Sequence, residues 1–151
     1  MKIKTFTKVF GVVLIALLPA FLLKAQVGFN PSYAVLAING GANTYYDLNA
    51  TTINPDFQGA NLGSFVSGNS IVIRGAENNV YKCGSCDIWQ TKIHYRVYRQ
   101  GTTPPAFSEM IVGFASGFNN GCGGQDQQWA TTAGTTDIHS GLTYGCYNLE
   151  V

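Results

Sequence analysis

The sequence predicts an all-β protein: a single antiparallel β-sandwich, disulfide-stapled, behind an N-terminal signal peptide. Three observations predict it. Residues 1–25 run from a basic start (Lys2, Lys4, Lys8) through an apolar stretch over 9–23 to a small-residue step at Lys24-Ala25-Gln26, the layout of a secretory signal. Beyond it, aromatic and β-branched residues come in short runs between Gly and Asn turns, which favours strands over helices. No long Ala, Leu, Glu or Lys stretch follows residue 26 to argue for helix. The apolar run is also shorter than the roughly 20 residues a membrane-spanning helix needs. The organisation expected is therefore a signal peptide over 1–25 and one β-sandwich module over 26–151, with no membrane span after signal removal.

The elements follow in order. Residues 26–32 are a short lead-in containing Pro31. Residues 33–39 (YAVLAIN) form the first strand and run into a turn at Gly40-Gly41, and 44–48 (TYYDL) return as its hairpin partner. Residues 50–63 read as loop, with Asn54-Pro55-Asp56 and Gly59 as turn signals. A short strand is expected within 62–66, then a turn at Ser67-Gly68-Asn69, then a clear strand at 70–74 (SIVIR). Residues 75–79 (GAENN) read as another turn, with 80–83 extending a strand beyond it. Residues 92–99 (KIHYRVYR) alternate best. Ile93, Tyr95 and Val97 fall on one side, and Lys92, His94, Arg96 and Tyr98 on the other, as in a strand with one buried face. Residues 109–114 (EMIVGF) are the next strand, 115–124 a Gly/Asn-rich loop, and 125–129 a loop-like segment. Residues 135–138 and 147–151 are the last strands. The final one stops without a turn or polar tail, so the fold is expected to continue past Val151 in the natural protein. Short strands at regular spacing suggest a sandwich, with no internal repeat or linker.

Removing the signal takes four lysines and leaves five bases against eight acids, a formal charge of −3. A mildly acidic chain with scattered bases gives no support to nucleic-acid binding or to docking on anionic lipid. Export places Cys83, Cys86, Cys122 and Cys146 in an oxidising compartment, where disulfides are the default. Four cysteines allow three pairings. The Cys83-x-x-Cys86 spacing also suits a redox pair or half a metal site, but no helix start and no second C-x-x-C accompanies it.

Five blocks occur in order: 40–48 (GGANTYYDL), 54–63 (NPDFQGANLG), 75–83 (GAENNVYKC), 95–98 (YRVY) and 121–127 (GCGGQDQ). As a set they resemble the N-terminal module of exported Bacteroidetes proteins associated with type IX secretion, where it often precedes other domains, some of them carbohydrate-active. The resemblance covers the whole mature chain and implies a secreted, β-rich, non-catalytic accessory domain. The chain departs from the pattern at Cys146, where a polar residue is expected, and in stopping at a strand past which family members continue.

Candidate chemistry is weighed on this background. The only histidines are His94 and His139, no G-x-S-x-G is present, and the eight carboxylates are scattered through turns. Nothing marks a nucleophile–base pair or the paired acids of a glycosidase, so no enzyme and no cofactor is expected. Calcium is the one candidate cation, with Asp47, Asp56 and Asn61 as oxygen ligands. The competing reading is that these side chains cap their own turns. Aromatics offer the best route to a ligand. Trp89, Trp129, Tyr45 and Tyr46 present flat apolar faces, and Gln125, Asp126 and Gln127 add hydrogen-bonding groups, a mixture that suits sugars. The alternative is that both tryptophans cover the ends of the sandwich. Asn49-Ala50-Thr51 matches an N-x-T sequon by coincidence of composition.

The function expected is a secreted or cell-surface accessory module that binds polysaccharide or supports a downstream carbohydrate-active domain of the same polypeptide. A structural or adhesive module with protein partners is the alternative, and a small hydrolase the remote one.

Overall fold

The computed structural model describes residues 27–84, 87–121 and 125–151. The segment over 1–25 expected to be a signal peptide, Cys86 and Cys122 lie outside the described residues. Nine strands and no helix occur among them: β1 (Val27–Ile38), β2 (Thr44–Asp47), β3 (Ile71–Lys82), β4 (Thr91–Arg99), β5 (Ser108–Val112), β6 (Phe114–Asn119), β7 (Gln125–Thr131), β8 (Thr136–Asp137) and β9 (Tyr147–Glu150). The large sheet runs β2-β1-β3-β7-β6, with β8 paired to β3, and the small sheet runs β5-β4-β9. Every strand pair is antiparallel. The chain is all-β and sandwich-like. Ala34, Ala76, Val80 and Trp129 of the large sheet meet Ile93 and Val112 of the small one in one buried cluster.

The first hairpin closes one residue earlier than the sequence suggests. Asn39 and Gly40 both have positive φ (51° and 69°), and Gly41 N–H donates to Ile38 C=O at 2.9 Å. This is the type I′ geometry that Asn-Gly favours because its twist matches that of the flanking strands. Strand β1 starts at Val27 and takes in the expected lead-in, with Pro31 accommodated where the register slips between Asn30 and Ser32.

The expected turn at 75–79 is the middle of the longest pairing in the fold. Strand β3 passes straight through it, opposed by β1 on one side and β7 on the other. Gly75 is there for a bulge, since Arg74 drops out of the register between Ile73 and Gly75. Gly75 has φ +131°, and a Cβ on it would lie 2.0 Å from Thr131 C=O. Only glycine tolerates both the conformation and the approach of β7. The bulge also marks where β7 leaves β3 and β8 takes its place, joined by Gly134 N–H donating to Arg74 C=O at 2.8 Å.

Strand β4 keeps its expected alternation at its start, with Ile93 buried between exposed Lys92 and His94. Ion pairs tie it to both neighbours: Lys92 to Glu109 at 2.8 Å and Arg96 to Glu150 at 2.5 Å. The Arg96 guanidinium also lies 4.2 Å from the Phe107 ring centroid. The expected strand at 109–114 is divided. Gly113 separates β5, in the small sheet, from β6, in the large one. The expected loops at 115–124 and 125–129 accordingly give up most of their length to β6 and β7. No strand forms within 62–66.

Cys146 is a correction to the expected disulfide set: it is free and exposed. Its carbonyl accepts from Gln100 N–H at the end of β4, whereas Cys83 lies in the segment leading into the start of that strand. The nine residues of β4 hold the two ends roughly 27 Å apart, far beyond the reach of a disulfide.

Candidate functional site

Opposed residues of paired strands project to the same face, and every second residue along a strand joins them. Ala34, Ala76, Val80 and Trp129 mark the inner face of the large sheet, so the alternate positions define the outer one. One row crosses four strands there: Ser116, Gln128, Asn79 and Asn30 are opposed in turn. Its members are spaced by about 4.8 Å, the strand separation. One step along the strands, toward the chain's β3–β4 end, lie Phe118, opposed to Asp126, and Tyr81, opposed to Gly28. One step the other way lie Glu77, opposed to Tyr33, whose ring meets Tyr45 edge-on at 6.0 Å.

The amide row is partly fixed and partly free. Gln128 Nε2 donates to Glu77 Oε1 at 2.9 Å, and Ser116 Oγ donates to Gln128 Oε1 at 3.3 Å. Asp126 Oδ1 accepts from Asn120 Nδ2 at 2.7 Å and from Lys82 N–H at 3.3 Å. Among the described residues, the side-chain amides of Asn30 and Asn79 make no hydrogen bond. They border a shallow hollow of about 150 Å³ together with Tyr81, Phe118, Asp126 and Gln127. No basic residue lines it.

The residues singled out from the sequence scatter around this face. Asp126 lies on it, and Tyr45 stands at its β2 side. Gln125 is exposed at the start of β7. Gln127 turns inward, donating to Asp87 Oδ1 and accepting from Trp129 Nε1, each at 3.2 Å. Trp129 is a correction: it is buried in the core with 7% of its surface exposed, packed edge-on against Phe114 at 5.4 Å. Its ring has no free face to offer a ligand. Tyr46 also points inward, edge-on to Phe57 at 6.3 Å. Trp89 is 85% exposed in the β3–β4 connection.

The calcium candidates are held by turn chemistry. Asp47, only 1% exposed, accepts from Asn49 N–H (2.7 Å), Thr51 N–H (2.9 Å) and Thr52 N–H (2.7 Å). Burial pushes its carboxyl up, but the donors from Asn49, Thr52 and Thr51 outweigh that and hold it at about 2. Asn61 Oδ1 accepts from Gly63 N–H at 2.9 Å. Asp56 bridges to Asp47 through backbone and leaves its own side chain exposed. Among the described residues, no group of three or more acidic, His or Cys side chains is placed to hold a metal, and no helix is long and apolar enough to cross a membrane. His94 is exposed opposite Glu109, and the His139 ring lies 5.7 Å from that of Phe65.

Asn30, Asn79, Tyr81, Phe118 and Gln128 carry no sequence signal that singles them out. Their shared face depends on pairings across β1, β3, β7 and β6 that the glycine at 75 and the Gly/Asn content of 115–124 conceal. No protein-family model matches the chain, and no curated protein or solved structure is significantly similar to it.

Proposed function

We propose that the chain is an exported, non-catalytic accessory module that binds glycan on the outer face of its large sheet, alone or in support of an attached carbohydrate-active domain. The observation that carries this reading is the row of Gln128, Asn79 and Asn30 amides, two of them without partners, beside the exposed Phe118 and the half-buried Tyr81. Amides exchange hydrogen bonds with sugar hydroxyls, and aromatic rings cover their C–H faces. The signal-like residues 1–25 and the resemblance to exported Bacteroidetes modules support a secreted or cell-surface location. A disulfide drawn from Cys83, Cys86 and Cys122 belongs to the same reading. Asn120 Nδ2 donates to Lys82 C=O at 2.6 Å, which brings the segment before Cys122 next to Cys83.

The test is native affinity electrophoresis of the exported chain in gels containing soluble polysaccharides. Retardation that weakens in Asn79→Ala supports the site, and unaltered mobility in every polysaccharide rejects glycan binding. A second reading, a structural or adhesive module, is favoured by β6. This edge strand is uncharged and shows Phe114 and Phe118 more than half exposed, the kind of edge that pairs with other chains. Self-association without any glycan retention would select it.

A further inference from the structure

We infer that Tyr81 is the stacking platform of this face and that its ligand is an uncharged pyranosyl glycan, an inference that rests on the glycan-binding reading. The argument begins with Gly28. It is opposed to Tyr81 across β1 and β3, and a Cβ placed on it would lie 2.4 Å from Tyr81 Oη, 2.5 Å from Cζ and 2.6 Å from Cε1. Most sheet side chains stand up from the pleat. The Tyr81 ring instead folds down across the neighbouring strand, into the space that only glycine leaves open. A ring lying along the sheet shows its broad π-face to solvent, whereas an upright ring shows mainly its edge. That is the geometry a sugar needs, since its ring hydrogens pack on an aromatic face. The hollow of about 150 Å³ begins beside this ring and is bordered by Phe118 and by the unpartnered amides of Asn30 and Asn79. Its scale is that of one sugar ring.

Charge decides the ligand class. The carboxylate of Asp126 lines the hollow, and that of Glu77 stands one step beyond the amide row. The five bases of the mature chain are all placed elsewhere. Lys92, Arg96 and Arg99 are on β4 of the small sheet. Lys82 is buried and paired with Asp87. Arg74, at the bulge, donates to Gly134 C=O. Asp126 and Glu77 can accept from sugar hydroxyls. A uronate or sulfate brought to the same place would meet like charge at short range with no cation to offset it.

The experiment compares the exported chain on two sets of probes in native affinity gels. Hydroxyethylcellulose, xylan, glucomannan and laminarin are uncharged, and polygalacturonate and alginate are acidic. The result expected is retardation by at least one uncharged probe and none by the acidic pair at moderate salt. Tyr81→Ala is expected to weaken binding about three- to tenfold, the size of one aromatic contact, and Tyr81→Phe to retain it. Gly28→Val, which lifts the ring without removing it, is expected to fall with Tyr81→Ala. Should Tyr81→Ala fail to fold, Phe118→Ala at an exposed position carries the comparison. Equal or stronger retention on the acidic probes would overturn the ligand class and leave the site standing. Full affinity in a folded Tyr81→Ala protein would overturn the platform. Retardation of the parent by none of the probes would reject the glycan-binding reading as well.

Discussion

The two faces of β3 share a backbone and differ in what they do with it. Inward, Ala76, Asn78 and Val80 are sealed against the small sheet, each at most 5% exposed. Outward, Glu77, Asn79 and Tyr81 are half-buried and face no second layer. The inner face is where apolar area leaves water and stability is gained. The outer face buries little and keeps polar groups free, which is what recognition uses. Substitutions should therefore separate cleanly: inner ones read out in stability, outer ones in binding.

The largest expected effect tests the inner side. Trp129→Ala removes the biggest side chain of the shared cluster and opens a cavity between the sheets, at a cost of about 3–5 kcal/mol. Urea unfolding would measure it. A loss below about 1 kcal/mol would mean that Trp129 is not a core residue and would return it to the list of ligand candidates.

Next in size is Gly75→Ala, at the point where the two faces lose their simple alternation. The φ of +131° alone costs a residue with a Cβ about 1–3 kcal/mol, and the contact with Thr131 C=O adds to it. Loss of β3–β7 pairing should follow, visible as faster amide exchange at Ala76 and Thr131. Unchanged exchange would argue against the bulge.

Those two residues also show what was legible in the sequence. Strand β4 was readable because Lys92 to Arg99 alternates without interruption, and the Asn-Gly turn because its φ requirement is written in its residue types. The centre of β3 was not. Gly75 followed by Asn78-Asn79 has turn composition, and only the approach of Thr131 from 56 positions later explains the glycine. The Gly117 and Asn119 content of β6 conceals an edge strand in the same way. Trp129 looked exposed because its neighbours are polar, yet Gln127 and Gln128 simply alternate around it toward different partners. The outer face, built from four strands, becomes visible only once their order is known.

A smaller effect concerns Asp47, whose buried carboxylate organises the loop after β2. Its folded pKa of about 2 lies below the ordinary aspartate value of 3.8. The stability it contributes is thus fully present above about pH 3.8 and is lost as pH falls through about 2. Asp87, Glu109 and Glu150 are lowered too, by Lys82, by Lys92 and by Tyr98 with Arg96 respectively, so acid should weaken the parent through several groups at once. Asp47→Asn is expected to melt below the parent at pH 7 and to converge with it as pH approaches 2. A gap that persists at low pH would show that the asparagine disturbs packing and not the charge–amide contacts.

The smallest stability effect gives the sharpest comparison, because it uses adjacent, identical side chains. Asn78 points inward, 5% exposed, and Nδ2 donates to Thr91 Oγ1 at 3.4 Å, linking the two sheets. Asn79 points outward and makes no hydrogen bond among the described residues. Asn78→Ala leaves a buried hydroxyl without its partner and should cost about 1–3 kcal/mol with glycan affinity intact in the folded fraction. Asn79→Ala should shift stability by no more than about 0.5 kcal/mol while weakening glycan retention. Equal stability losses at the two positions would mean the outer face is covered after all. An affinity loss confined to Asn78→Ala would move recognition away from the outer face of the large sheet. One residue of sequence, and hence one step of the pleat, separates an amide that links the two sheets from one that faces outward.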